Sequence, residues 1–427
     1  MKLESYWLDT MPAVTGLATG PLPARASVVV VGGGFTGLAA ARALAMKGED
    51  VVVLEAGRIA GEASGRNGGQ CNNGIADDFG ALSARFGAAA ARDLYRSFDE
   101  GVDRVEAIVA EEAIDCDFVR TGKLKLAYTP QHAAKFAATA ELLKREVEPD
   151  LRLLSRDQLG DEITSEAFHG GIVFPRSAAF HPARFAAGLA AAAARRGAQL
   201  YQHSPVTGLK PLGGKRFRVA TAQGSIDADR VLLATGACNK GGGLGWFRRR
   251  IVPIGSFIIA TEPLDAGVVR RIMPGRRNCT TTRNLGNYFR LTADDRLIFG
   301  GRARFALSSP TSDAKSGEIL RTTLGNVFPG LRDTPIAHCW GGIVDMTADR
   351  LPRAGEHDGL FYAMGFSGHG TQLSVLMGER MARVVTGEPD ANPLAVLRDW
   401  PAIPGHFGSP WFLPLVGAWY RHQDRIG

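Results

Sequence analysis

Residues 27–55, SVVVVGGGFTGLAAARALAMKGEDVVVLE, constrain the fold more than any other stretch of the chain. Val28 to Val31 is a short apolar run of the kind that fills a buried parallel strand. Gly32, Gly34 and Gly37 follow in the spacing G-x-G-x-x-G. Residues 36–47 then turn helical, with Leu38, Ala41, Leu44 and Ala45 on one face, and Gly48 stops them. Val51–Leu54 reads as the next strand, and Glu55 ends it, 18 residues after Gly37. Strand, glycine turn, helix, strand and acid in this order make a dinucleotide-binding unit. Gly32 permits the tight turn, Gly34 lets pyrophosphate approach the backbone, and Gly37 lets helix and strand pack closely. The helix start, at Phe35 and Thr36, offers free N–H groups and a positive dipole end to phosphates. Glu55, followed by Ala56, is placed to accept both hydroxyl hydrogens of an adenosine ribose and to repel a 2′-phosphate.

A chain of 427 residues is long enough for two domains and a large core. Fifty Lys and Arg against 43 Asp and Glu give a net charge of +7, spread over short Arg pairs and triplets. No aromatic–basic motif accompanies them, so they read as a solvated surface that can steer an anionic substrate, with no nucleic-acid partner. Cys71, Cys116, Cys238, Cys279 and Cys339 are scattered without C-x-x-C, which fits reduced thiols in a cytoplasm. The first residues, MKLESYWLDTMP, contain no apolar signal region, and no apolar run is long enough to span a bilayer. Residues 411–420 are apolar but interrupted by Pro414, and read as a packed tail.

Along the chain, residues 1–26 read as an irregular lead-in. Ala63, Ser64, Gly65, Arg66, Asn67, Gly68, Gly69 and Gln70 form a second glycine-dense cradle after the ribose acid. Residues 78–113 are helical, as two helices or one broken one. Residues 118–120 and 123–128 read as strands, and Pro130 opens a helix to about Val147. Residues 168–180 suggest a strand pair, and 182–196 an alanine-rich helix ended by Gly197. A strand at 199–202, a turn at Pro205-Val206, a hairpin from 216–220 and 224–226, and a strand at 231–237 return the chain to the nucleotide unit. From 250 to 340 helix signals fade. Strands at 254–261, 288–291, 296–299 and 336–340 suggest an antiparallel substrate sheet. Residues 359–364, the turn Gly365-Phe366-Ser367-Gly368-His369-Gly370 and a helix at 371–386 make another strand–turn–helix cradle.

In this order G-x-G-x-x-G, ASGRNGGQ, ATGA, WGG and GFSGHG resemble the D-amino-acid oxidase-like flavoproteins, the family containing glycine oxidase and sarcosine oxidase. The resemblance covers nearly the whole chain. Early SYW, ASGRNGGQ, PIGSFIIATEPL and SGHG look most like its gamma-glutamylputrescine-oxidising branch. It implies an α/β fold: an FAD-binding Rossmann-like domain from residues 1–80, 150–245 and 340–390, and an α+β substrate domain with a large antiparallel sheet from 81–149 and 246–339. Residues 391–427 would be the packed tail. It implies FAD, with Gly32, Gly34, Thr36 and Gly37 at the pyrophosphate, Glu55 at the ribose, and 64–70 along diphosphate and flavin. Val206 would meet the adenine, with Thr235 and Gly236 near the nucleotide. Gly341, Gly342 and the run from Phe366 through Ser367, Gly368 and Gly370 to Thr371 would border the ring.

The implied reaction is hydride loss from the carbon beside an amine nitrogen to the flavin, hydrolysis of the imine, and reduction of O2 to peroxide. Three positions depart from the family. The carboxylate-binding lysine of sarcosine oxidase aligns with Gln372, the corresponding arginine of glycine oxidase with Val344 or Asp345, and the oxygen-activating lysine with a position near Ile298. An amine whose carboxylate is remote from the reacting carbon is therefore expected, gamma-glutamylputrescine being the favoured layout. Iminodiacetate, sarcosine or glycine oxidation, a quinone-linked dehydrogenase and a non-catalytic flavoprotein are the alternatives. Arg283, Arg290 or Arg302 would bind the far carboxylate. His369 is either bonded to backbone or close to the ring, and Trp340 either a pocket wall or core. Cys339 does not match the known thioether position, so non-covalent FAD is expected. No His/Cys/Asp cluster has metal spacing.

Overall fold

The valines of the opening unit are split between two cores. Val28, Val30, Val51 and Val53 enter one apolar cluster, while Val29, Val31, Val52 and Leu54 enter another on the opposite face. A strand covered on both faces must be apolar at every position, which is why no alternation appears in its sequence. The computed structural model, which describes residues 1–75, 78–238 and 242–426, builds around this unit a sheet of eight strands. Its main path runs Arg353–His357, Leu360–Met364, Gly224–Leu233, Arg25–Val31, Val51–Leu54, Gln199–Tyr201. The four pairings among Leu360–Met364 through Gln199–Tyr201 are parallel. The Phe35–Met46 helix covers one face and packs on Thr371–Val385 so closely that a Cβ on Gly378 would overlap Thr36 O.

A second eight-stranded sheet has the order Ile336–Met346, Val252–Thr261, Leu297–Gly301, Asn287–Leu291, Asn278–Thr281, Lys123–Leu126, Gly170–Phe174, Arg152–Ser155. It is antiparallel except between Asn278–Thr281 and Lys123–Leu126. Residues opposed across a ladder share a face. Phe289, Phe299, Ile259 and Cys339 therefore form one row, buried against the Pro310–Val327 helix side. Tyr288, Gly300, Ile258 and Trp340 form a row on the other face, toward the dinucleotide unit, joined by Lys125 through Thr280.

Several local expectations differ from the structure. Residues 118–120 form no strand, only a bridge from Val119 to Ala179. The expected hairpin return at 224–226 and the strand at 231–237 are one strand, Gly224–Leu233, which pairs with both its hairpin partner and Arg25–Val31. The lead-in contains a helical turn, Tyr6–Asp9. Residues 250–340 include the helix Pro310–Val327, capped by Ser309. Arg152–Ser155 and Gly170–Phe174, expected in the nucleotide domain, lie in the second sheet. The Ala88–Glu111 helix, expected in the substrate domain, packs on Thr371–Val385. Both displacements follow from pairing and packing partners far away in sequence.

Candidate active site

The glycine turn leaves room that any larger residue would fill. A Cβ on Gly37 would overlap Gly32 O, and one on Gly34 would stand 2.9 Å from Ser64 Oγ. Gly34 caps the Phe35–Met46 helix without a side-chain hydrogen bond, and Gly370 does the same for Thr371–Val385. Neither N-cap residue supplies a side-chain cap and, apart from the Phe35 N–H that Ser64 takes, both helices present first-turn N–H groups and positive dipole ends. Ser64, on the short Ala63–Arg66 helix, accepts the Phe35 N–H at 2.9 Å and ties the second cradle to the first. Glu55 Oε2 accepts from Gly33 N–H and Oε1 from Gly57 N–H, each at 2.7 Å. Ala56 beside it is exposed, and Ser204 N–H donates to Glu55 O at 2.8 Å, which brings Val206 toward the same end. Ala234 N–H bonds Val31 O, so Thr235 and Gly236 follow at the mouth of the turn. Acid, two bare helix starts and a glycine cradle on one path fit a dinucleotide.

The cradle continues toward the second sheet. Asn67 Oδ1 accepts the Gly69 N–H at 2.8 Å, and Gln70 Nε2 donates to Phe289 O at 3.1 Å. Gly68 faces the Tyr288 ring, whose hydroxyl lies 3.0 Å from Ser256 Oγ. Burial raises the Tyr288 phenol pKa. On the far side, Asp345 braces the Phe366–Gly370 turn, accepting from Gly365 N–H at 2.6 Å and Phe366 N–H at 3.2 Å. Its burial moves the carboxyl pKa up to about 6 against those hydrogen bonds. Ser367 is buried with φ of 55°, Gly368 is exposed, and Thr371 starts the helix. Asp345 therefore serves the turn and does not stand free to attract an amine.

His369 keeps exposed surface although protein surrounds it, so it sits in a partly open recess. Enclosure by protein lowers its imidazole pKa to about 4, against a weak hydrogen bond to Ser367 O and assisted by Lys123, Arg302 and Arg350. Lys123 and Lys125 share this face of their strand, while Leu124 and Leu126 are buried on the other. Burial lowers both amines, Lys123 to about 8. Lys123 Nζ donates to Asn73 O at 2.7 Å. Arg302, just beyond Leu297–Gly301, reaches Met346 Sδ at 3.8 Å; among the described residues no carboxylate pairs with it. Lys123, Lys125 and Tyr288 carry no local sequence signal for this role. Only strand alternation, once the pairing is known, points them inward together.

Four expected site residues, Trp340, Arg290, Gly65 and Gly341, are turned to other work. Trp340 is fully buried and donates from Nε1 to Arg66 O at 2.9 Å, so it braces the cradle and does not wall a pocket. Arg290 is buried and donates to Gly68 O, Leu291 O and Phe180 O at 3.0, 3.0 and 2.7 Å. Its remaining surface borders a separate cleft of about 170 Å³ with Tyr6, Trp7 and His181. It supports the Gly68–Gly69 loop from behind, and its hydrogen bonds go to backbone carbonyls. Gly65 faces Leu8 and Ala60, and Gly341 is held between the Asp313 carboxylate and the Arg66 guanidinium. Their parts are structural, and Gly342 is the glycine that faces Arg66. Gln372 is buried and donates to Asn72 O, so the position aligned with the family lysine does not reach the recess. Ile298 is fully buried beside Trp340 and Trp7.

The profile of the family described as DAO, FAD dependent oxidoreductase, matches residues 27–384. The chain is 32% identical over 402 residues to gamma-glutamylputrescine oxidoreductase of Escherichia coli (strain K12), covering 94% of this chain and 93% of that one. Among solved structures, glycine oxidase from Geobacillus kaustophilus superposes with a TM-score of 0.70 at 24% identity, over 87% of this chain and 98% of that one. Iminodiacetate oxidase from Chelativorans sp. BNC1 gives 0.67 at 21% identity, over 86% and 97%.

Proposed function

The chain belongs to the DAO family of FAD-dependent oxidoreductases, and from that premise we propose that it oxidises the C–N bond of an amine bearing a carboxylate remote from the reacting carbon, with gamma-glutamylputrescine as the favoured layout. The observation that carries this reading is Arg302. Of the arginines on the strand domain, Arg283 faces Asp424 at 3.8 Å and stacks on Tyr128, and Arg290 is committed to backbone carbonyls. Arg302 is half-buried, burial lowers its pKa, and among the described residues no carboxylate pairs with it. A half-buried guanidinium in that state is suited to a bidentate carboxylate ligand.

Bound FAD would supply a two-electron oxidant for the carbon beside the amine nitrogen. Glu55 would hold the ribose, the two bare helix starts the anionic portions, and residues 64–70 the flavin edge. The chain's own share is orientation and charge. Arg302 anchors the far carboxylate, and Tyr288, held by Ser256, limits where the carbon chain can lie. His369 is neutral at physiological pH, so it can accept a hydrogen bond without repelling an ammonium. Cys339 lies on the opposite face of its strand, donating to Asp313 O at 3.2 Å, which supports non-covalent FAD. We take O2 as the electron acceptor, with Lys123, whose charge acts on His369, as a cation able to favour reduced oxygen species.

Arg302→Met should raise KM for gamma-glutamylputrescine by about tenfold to a hundredfold with a smaller change in kcat, because the lost contact is remote from the reacting carbon. Peroxide release over a panel of amines decides the reading. A higher kcat/KM for glycine, sarcosine or iminodiacetate would overturn it. Iminodiacetate is the second reading, favoured by Lys123 and Arg302, whose charges both act on His369, and by Lys125 on the same strand face as Lys123, a set of cations that suits a dicarboxylate.

A further inference from the structure

The C-terminal helix, Leu413–Ile426, is packed on one side and bare on the other. Leu413 and Gly417 are buried, and Tyr420 stacks on Phe305 with ring centroids 6.1 Å apart. The Asp424 carboxylate is only 5% exposed; it accepts from the N–H groups of Asn284 and Leu285, both at 2.9 Å, and faces Arg283. On the opposite side lie Leu415 and Trp419, 67% and 60% exposed, and Trp411, 67% exposed, stands in the turn just before the helix. Phe407, 71% exposed, lies earlier in the same segment, with the Arg249 guanidinium 5.3 Å from its ring centre. Arg248 lies against the neighbouring Gly408.

Single exposed apolar residues need no explanation, but a leucine and a tryptophan on one helix face, continued by a tryptophan in the turn before the helix, do. We infer that this face docks on an anionic lipid surface, with the helix lying in the plane of the interface. Asp424 is the only acid in the helix and is turned inward, so the outward face carries no negative charge. Tryptophan favours the boundary between water and lipid, and Arg248 and Arg249 beside Phe407 supply attraction to acidic headgroups. The net charge of +7 acts in the same direction at longer range. Fourteen residues make a helix of about 21 Å, too short to cross a hydrocarbon core of about 30 Å, so the helix lies on the membrane and does not span it. A second copy of the chain would bring the same cations and no outward acid of this helix to meet them.

The test is co-sedimentation of the holoenzyme with vesicles of equal parts phosphatidylglycerol and phosphatidylcholine, against phosphatidylcholine alone. Wild type should bind the anionic vesicles, with a blue shift of tryptophan emission, and binding should fall as salt rises. Trp411→Ser, Leu415→Ser and Trp419→Ser together should weaken binding by about tenfold or more, with FAD content and amine oxidation unchanged. Should the triple variant fold poorly, Trp419→Ser alone and Arg249→Glu alone should each weaken binding while retaining FAD. Absence of wild-type binding, or binding unaltered in the folded variants, would overturn the inference. So would a concentration-dependent dimer in sedimentation velocity that the triple variant dissolves, since the face would then belong to a second copy.

Discussion

Glu55 is committed to two backbone N–H groups and still has capacity to spare. Each carboxylate oxygen accepts one bond, from Gly33 or Gly57, and each has a second acceptor direction available. Glu55→Ala should therefore weaken FAD retention twice over, by removing hydrogen bonds to charged oxygen worth roughly 1.5–3 kcal/mol each and by freeing the turn they hold. Titration of apoenzyme with FAD should show at least tenfold weaker binding. Unchanged affinity would mean that the ribose is held elsewhere. The places of Glu55 at the end of its strand and Gly34 at the helix start were legible in the sequence because the elements that set them lie in one short unit. Arg290 and Trp340 were not. Arg290 bonds Gly68, 222 residues away, and Trp340 bonds Arg66, 274 residues away. A side chain's type announces that it needs partners; only the fold decides whether these are a ligand or the backbone.

At the scale of elements, the Ala88–Glu111 helix is joined to the cradle by a buried polar cluster. Asn73 donates from Nδ2 to Asp99 at 3.1 Å and also to Glu148, and Tyr95 donates to Glu148 at 2.7 Å. Arg176, half exposed, stands 3.7 Å from Asp99, and Lys123 approaches from the sheet side. Burial, followed by repulsion from Glu148, moves the Asp99 pKa up to about 7. The folded protein thus holds a proton on Asp99 between about pH 4 and pH 7 that the unfolded chain has released, so this group's contribution to stability falls as pH rises through that window. Asp99→Asn should raise Tm at pH 8, where wild type keeps a desolvated charge, and should change it little near pH 5. Calorimetry of the holoenzyme at both pH values checks this. An equal drop at both would show that Arg176 gives more than burial costs. The helix itself was legible from its apolar spacing, within a stretch that reads as two helices or one broken one; the break falls at Gly87. Pro310–Val327 was not, since Ser312, Ser316 and Gly317 share its buried side with Leu320, Leu324 and Val327 and leave little apolar period to read.

At the scale of the whole molecule, the order of the two sheets depends on the first ten residues, a stretch whose sequence reads as irregular. Ser5 Oγ donates to Gly65 O at 2.8 Å and Trp7 Nε1 to Asn67 O at 2.7 Å, so this segment holds the cradle from behind. Tyr6 donates to Asp294 on the second sheet at 3.0 Å, and Lys2 bridges to His338 beside it. Thr10 meets His181, which caps the Pro182–Arg195 helix. Trp7, 1% exposed, lies at the centre, under the Arg290 guanidinium at 5.1 Å and edge-on to His181. Nothing in the spacing of residues 1–10 signals this, because each contact is made to a segment the chain reaches only after building the sheets. Trp7→Ala would leave a cavity behind the loop, remove the donor to Asn67, and deprive Arg290 of the ring it lies over, a core change worth about 3–5 kcal/mol. The loss should appear in both sheets together: Tm should fall by several degrees, and FAD should dissociate faster although Trp7 touches only the back of the loop. Trp7→Phe keeps most of the volume and loses the hydrogen bond, so it should show a fraction of both effects. If Trp7→Ala lowers Tm while the FAD dissociation rate, followed by flavin fluorescence, stays at the wild-type value, the segment stabilises the fold without positioning the cradle.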